Sequence, residues 1–224
     1  MEINSLGYGA LRQLRNLSLA VLTGLGSAHA ETVTVAALGD SLTQGYGLPP
    51  DQGLIPQLQD WLDAEGADTV IVNAGVSGDT TRGGLARVGW TLTEETDALI
   101  VALGSNDVLR GIEPSVARAN LEGILGTAAD AGVPVLLAGF TAPGNYGPDY
   151  KNEFDAIFPD LAAEFGVLFI DRFLEPIIGE RDEGRPPAEL LQADGLHPNR
   201  DGVALIVERL GPKVAELADS VRDR

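Results

Sequence analysis

Beyond residue 30 the chain carries a single histidine, His197, in the run Asp194-Gly195-Leu196-His197-Pro198-Asn199. Any imidazole chemistry there has to use it. An aspartate three residues before a histidine, in a loop punctuated by Gly and Pro that leads into a helix, can set its carboxylate against the ring and fix the tautomer of a general base. The run contains no nucleophile. The best supply lies at the other end of the chain, where the apolar residues 33–38 stop at Gly39-Asp40-Ser41-Leu42-Thr43-Gln44-Gly45-Tyr46-Gly47. A glycine-flanked serine after a strand exposes its hydroxyl at a sheet edge.

These two ends must be brought together, and the hydropathy pattern predicts how. In the segment after the serine loop, Leu54, Ile55, Leu58, Trp61 and Leu62 fall on one helical face. Residues 69–72 read as a buried strand, 80–91 as a helix, 98–103 as a strand, and 114–130 as a helix with proline in its first turn. A strand over 133–138, a helix over 150–165, a strand over 167–170 and a last helix over 200–220 complete the series. Five short apolar strands alternating with helices imply a doubly wound α/β architecture, a flavodoxin-like three-layer sandwich around a five-stranded parallel sheet. Ligands in such sheets bind at the carboxyl ends of the strands, where strand order reverses. The first three strands run into Ser41, into the loop over 73–80, and into Gly104-Ser105-Asn106-Asp107. With the Asp194/His197 loop, that rim offers a hydroxyl, an imidazole with its carboxylate, a glycine amide and an asparagine amide, the set needed for acyl transfer.

Composition bounds the rest. At 224 residues and 44% hydrophobic content the chain can bury one sizeable core, read as one domain over residues 31–224 without repeats or low-complexity tracts. With 33 acidic and 15 basic residues the net charge is −18, which repels nucleic acid and anionic membranes, so neither is an expected partner. The simplest reading of that charge is a solvated surface. Cysteine is absent, which removes disulfides, thiolate nucleophiles and Cys-ligated metals. Before residue 31, Arg12 and Arg15 precede an apolar stretch over 17–26 and then Ser27-Ala28-His29-Ala30-Glu31, the pattern of a secretory signal peptide over 1–30 cleaved near Ala30. A periplasmic or secreted protein is expected. The apolar stretch is about half the length a bilayer span needs, so no stable membrane anchor is expected.

Taken together, GDSLTQGYG (39–47), NAGVSGDT (73–80), GSND (104–107) and DGLHPN (194–199) resemble the SGNH, or GDSL, hydrolases, in that family's order and over about residues 35–217. Leu109-Arg110-Gly111, Asn145-Tyr146-Gly147, and Phe158-Pro159 with Leu161-Ala162 are similar to the bacterial periplasmic subgroup of thioesterases, lysophospholipases and arylesterases. The resemblance implies a serine esterase acting on small acyl esters or thioesters without metal or cofactor. Ser41 would be the nucleophile, His197 the general base and acid, and Asp194 its orienter. The oxyanion hole would comprise the backbone N–H groups of Ser41 and Gly78 and the side-chain amide of Asn106. Leu109, Phe140 and Tyr146 lie in rim loops where an acyl chain would dock.

Each position also has a plainer reading. Ser41 can cap a helix, Gly78 serve a turn and Asn106 satisfy a loop. Asp79 and Thr80 are expected to cap a helix, Asp40 to hold the serine loop, Asp107 to be structural and Trp61 to be core. A phosphate-binding loop is disfavoured, because Gly39, Gly45 and Gly47 do not fit G-x-G-x-x-G and no Lys-Ser or Lys-Thr follows. A non-catalytic periplasmic ligand binder would be favoured by loss of a catalytic residue, and none is lost. A carbohydrate O-acetyl esterase is the nearest rival, since the same chemistry serves deacetylation. The charged run Glu180-Arg181-Asp182-Glu183-Gly184-Arg185 departs from the subgroup pattern and bears on the outer wall of the pocket.

Overall fold

A computed structural model describes residues 32–178 and 187–224. In chain order the elements are β1 (Val33–Gly39), α1 (Ser41–Gln44), α2 (Leu54–Ala64), β2 (Thr69–Gly75), α3 (Thr81–Thr91), β3 (Ala98–Ala102), α4 (Ser105–Leu109), α5 (Pro114–Asp130), β4 (Val135–Ala138), α6 (Pro148–Phe165), β5 (Leu168–Ile170), α7 (Glu175–Ile178) and α8 (Arg200–Arg222). Short 3-10 turns lie at Gly144–Tyr146 and Pro187–Leu190.

The strands pair in parallel, as the alternating pattern implies, and their order is β2-β1-β3-β4-β5, that of a flavodoxin-like sheet. β3 is Ala-Leu-Ile-Val-Ala with every residue buried, as a central parallel strand covered on both faces must be. α2 and α8 pack together on one face of the sheet, while α3, α5 and α6 pack in succession on the other. Trp61 of α2 packs against the core, beside Gly211 of α8. The periodicity placed these helices well because each is long enough to show a buried stripe, such as Ala117, Leu121, Ile124, Leu125 and Ala128 on α5.

One strand departs from expectation. β2 is an edge strand bonded only to β1, so Thr69 and Ile71 are buried while Val70 and Val72 stand 47% and 46% exposed. An apolar run does not reveal whether both of its faces are covered.

α1 and α4, of four and five residues, were not foreseen, because neither is long enough to carry a helical period. They matter most for position. Strand order reverses between β1 and β3, and α1 and α4 begin directly beyond those strands, so they frame the crevice at the switch point. α1 also crosses closely over the end of β2. A Cβ on Gly75 would collide with the Gln44 amide and lie 2.8 Å from the Thr43 carbonyl carbon and 2.9 Å from the Asp40 carbonyl oxygen.

Those neighbours are backbone and cannot rotate away. Gly75→Ala is therefore expected to destabilise the fold by about 1–3 kcal/mol, the usual cost of overpacking. Gly126→Ala, with open space around the new Cβ in the middle of α5, is the control and should be neutral or stabilising by up to about 1 kcal/mol. Thermal denaturation of the two variants beside the parent protein checks both.

Candidate active site

The site grows from Asp40, at the last step of β1 into α1. Asp40 is 2% exposed, and one of its carboxylate oxygens caps α1 by accepting the Leu42 N–H at 3.0 Å. The other oxygen accepts the Ser105 hydroxyl and, at 3.1 Å, the Asn106 side-chain amide, both from the start of α4. Burial pushes the Asp40 carboxyl above its usual range, and these three donors offset only part of that rise.

Ser41 is the first residue of α1, and its Oγ stands 2.9 Å from His197 Nε2. On the far side of the ring, Nδ1 lies 2.7 Å from Asp194 Oδ2. Asp194 Oδ1 accepts the backbone N–H groups of Leu196 and His197 at 2.9 and 3.0 Å. Those bonds, led by the one from Leu196, hold the Asp194 carboxyl down at about 2. An ionised Asp194 only accepts, so Nδ1 carries the ring proton and Nε2 presents a lone pair to the serine hydroxyl.

The loop around His197 is tied to the serine loop. Gln192 donates its backbone N–H to the His197 carbonyl at 2.7 Å and its side-chain amide to the carbonyls of Tyr46 and Pro198, at 2.9 and 3.0 Å. The Tyr46 ring leans on the imidazole with centroids 4.8 Å apart.

Two backbone donors border the same place. Among the described residues the N–H groups of Ser41 and Gly78 have no hydrogen-bond acceptor. Gly78 has φ +77°, a conformation that a side chain would strain. Its neighbour Ser77 is fixed through both its N–H and its hydroxyl to Gln44 Oε1, and the Gly78 carbonyl accepts from Arg110 at 2.6 Å. Asn106 spends one amide proton on Asp40 and has a second left. Asp107, fully buried, accepts the Thr81 N–H at 2.9 Å and the Thr81 hydroxyl at 2.6 Å, joining α4 to the start of α3.

These groups open into a cavity of about 300 Å³ lined also by Leu42, Tyr46, Leu109, Phe140, Leu174 and Leu196. Ser41, Gly78, Asn106, Asp194 and His197 are thus brought together, with Leu109 and Phe140 on the cavity wall. Tyr146 is not on that wall; its ring packs over Gly111 and against Tyr150, with centroids 4.9 Å apart. Thr80 caps α3 as expected, whereas Asp79 does not: its carboxylate pairs with Arg87 at 2.7 Å. Sequence reasoning missed Tyr46, Leu174, Leu196, Gln192 and Arg87. Leu196 and Tyr46 lie inside the DGLHPN and GDSLTQGYG runs and were within reach, whereas Leu174 and Gln192 carry no local signal. The charged run over 180–185 lies outside the described residues. Among those residues, no three His, Cys, Asp or Glu side chains stand together to hold a metal ion.

The chain matches the model of the GDSL-like lipase/acylhydrolase family over residues 37–205. It is 37% identical over 202 residues to esterase TesA of Pseudomonas aeruginosa, covering 90% of this chain and 95% of that protein. It is 34% identical over 200 residues to thioesterase 1/protease 1/lysophospholipase L1 of Escherichia coli K12, covering 89% and 90%. In three dimensions it is similar to the psychrotrophic esterase EstA of Pseudoalteromonas sp., solved inhibited by monoethylphosphonate, with TM-score 0.74, 32% identity, and coverage of 82% of this chain and 97% of that one.

The Asp194 hydrogen bonds carry a pH dependence of definite sign. The folded carboxyl is depressed to about 2, below the ~3.9 of an unfolded chain. Its contribution to stability is present above pH ~4 and is lost as pH falls through about 2. The Asp194 carboxyl carbon shift in a ¹³C NMR titration should hold its ionised value from neutrality down to about pH 3. A midpoint near 4 would contradict the hydrogen-bond set.

Proposed function

The chain belongs to the GDSL-like lipase/acylhydrolase family, and on that premise we propose that Ser41 is the nucleophile of this carboxylic ester hydrolase and His197 its base. The observation that carries this reading is the relay of Ser41 Oγ, His197 Nε2 and Nδ1, and Asp194 Oδ2, spaced at 2.9 and 2.7 Å and opening on an apolar cavity. Ser41 Oγ attacks the acyl carbon as its proton passes to His197 Nε2. The charge gathering on the carbonyl oxygen is met by the Ser41 and Gly78 N–H groups and the second amide proton of Asn106. His197 then protonates the leaving alcohol or thiol. Water, deprotonated by the same ring, cleaves the acyl-enzyme to a carboxylic acid and restores the serine.

The leucines and aromatic rings on the cavity wall suit an acyl chain. Aryl esters, acyl thioesters and lysophospholipids are accordingly the proposed substrates, in keeping with the esterase, thioesterase and lysophospholipase names of the relatives. An acetylated sugar would leave that apolar wall unused. Export follows from the run of Arg12, Arg15, the apolar stretch 17–26 and Ala28-His29-Ala30, which lies outside the described residues. Among the described residues no helix is long and apolar enough to cross a membrane.

Ser41→Ala should lower kcat by roughly three or more orders of magnitude, and a fluorophosphonate should label Ser41 in the parent protein; full turnover in the variant would sink the mechanism. Asn106→Ala should keep KM and lower kcat about a hundredfold or more. If only the melting temperature fell, Asn106 would be a loop-structuring residue. Asp194 is already charged above pH ~4, so it should add no limb to the pH profile of activity near neutrality. Nitrophenyl esters of increasing chain length, run beside acyl-CoA, lysophospholipid and acetylated sugars, rank the substrate classes.

A further inference from the structure

Arg87 sits in the middle of α3, where an arginine reads from sequence as part of a solvated helix face. Its guanidinium instead makes bonds to three separate pieces of chain. Nε donates to Asp79 Oδ2 at 2.7 Å, Nη1 to the Ala74 carbonyl at 2.7 Å and Nη2 to the Gly39 carbonyl at 2.8 Å. Gly39 is two residues before Ser41, and Asp79 immediately follows Gly78. One rigid planar group thus spans the strand that delivers one oxyanion donor and the loop that delivers the other.

We propose that Arg87 is a positioning residue of the oxyanion hole, holding the Gly78 N–H at a set distance from the Ser41 N–H. The inference rests on the assignment of those two donors above. A plainer role, closing the end of the sheet, leaves the arginine unexplained. β1 and β2 are already paired in register from Val33↔Thr69 to Gly39↔Gly75, and the Val76 N–H adds a further bond to the Gly39 carbonyl. Nor does the ion pair account for it, since partly buried pairs are weak evidence of stabilisation once desolvation is counted. What the fork does supply is direction: guanidinium donors leave one plane at fixed angles, so three acceptors on different segments are held in fixed relation. Lysine offers a single charged point. It could keep the Asp79 pair but not both carbonyls.

The test uses the full chain and a short soluble nitrophenyl ester. Arg87→Gln should lower kcat about tenfold to a hundredfold, the scale expected when a catalytic group is misplaced by about 1 Å, while KM stays within about threefold. Affinity for a trifluoromethyl ketone of the same acyl chain, which forms a tetrahedral adduct, should fall by the same factor as kcat/KM. Affinity for the product carboxylic acid should not change. Arg87→Lys should recover only part of kcat. If Arg87→Gln does not fold, Asp79→Ala carries the comparison, because it frees the Gly78 side and leaves both carbonyl bonds intact; the same split between kcat and KM is expected. A parent-like kcat with only a lower melting temperature, in whichever variant folds, would overturn the proposal. A parent-like kcat in Ser41→Ala would instead overturn the site assignment on which it rests.

Discussion

A buried carboxylate at the end of a buried strand must find hydrogen-bond donors or be driven neutral, and Asp40, 2% exposed, finds them on two different helices. That requirement organises the crevice. The Leu42 N–H can reach Asp40 only if the chain turns at once into α1, which puts Ser41 at the helix start. The Ser105 hydroxyl and the Asn106 amide can reach it only if α4 begins directly beyond β3, beside α1. An apolar residue at position 40 would satisfy none of these donors, and each would then carry its own desolvation cost. Because the donors are Asn106 itself and the neighbours of Ser41 and Asn106, the electrostatics of one buried side chain set the geometry of the crevice.

The same logic extends outward from this centre. Asp107 is a second buried carboxylate on α4, pushed up by burial and answered by the Thr81 N–H and hydroxyl, so α4 is pinned to the start of α3 as well as to α1. Arg110, one turn on, holds the Gly78 carbonyl. Asp194 is the opposite case: exposed, with two backbone N–H groups and the imidazole around it, it stays charged at little cost and can keep His197 in one tautomer. Buried acids set distances, and an exposed acid sets a proton. The strand order that places β1 next to β3 lets α1 and α4 face each other in the first place.

Much of this was legible in the residues. The succession of strands and long helices along the chain follows from apolar periodicity, and the choice of His197 follows from a chain with one histidine after residue 30. What could not be read had physical reasons. α1 and α4 are too short to show a period, so the two elements nearest the crevice left no pattern. Val70 and Val72 look as apolar as a buried strand, although the sheet ends beside them. Asp79 has the composition of a cap, but Thr80 is the residue in extended geometry before α3, and Asp79 turns to Arg87. Tyr146, next to a glycine in a rim loop, packs over Gly111 and against Tyr150 and not on the cavity wall. Element length, sheet edges and side-chain partners decided these cases, and local composition does not encode them.

In the proposed mechanism the Ser41 N–H, the Gly78 N–H and the Asn106 amide converge on one oxygen beside Ser41 Oγ. A crystal structure of the protein after reaction with an alkyl phosphonate tests it most directly, because the tetrahedral phosphorus places an oxygen where the oxyanion would form. Phosphorus should be bonded to Ser41 Oγ, with one phosphoryl oxygen within about 2.7–3.1 Å of all three nitrogens. A phosphoryl oxygen turned to solvent or held by other donors, or phosphorus on another residue, would contradict it.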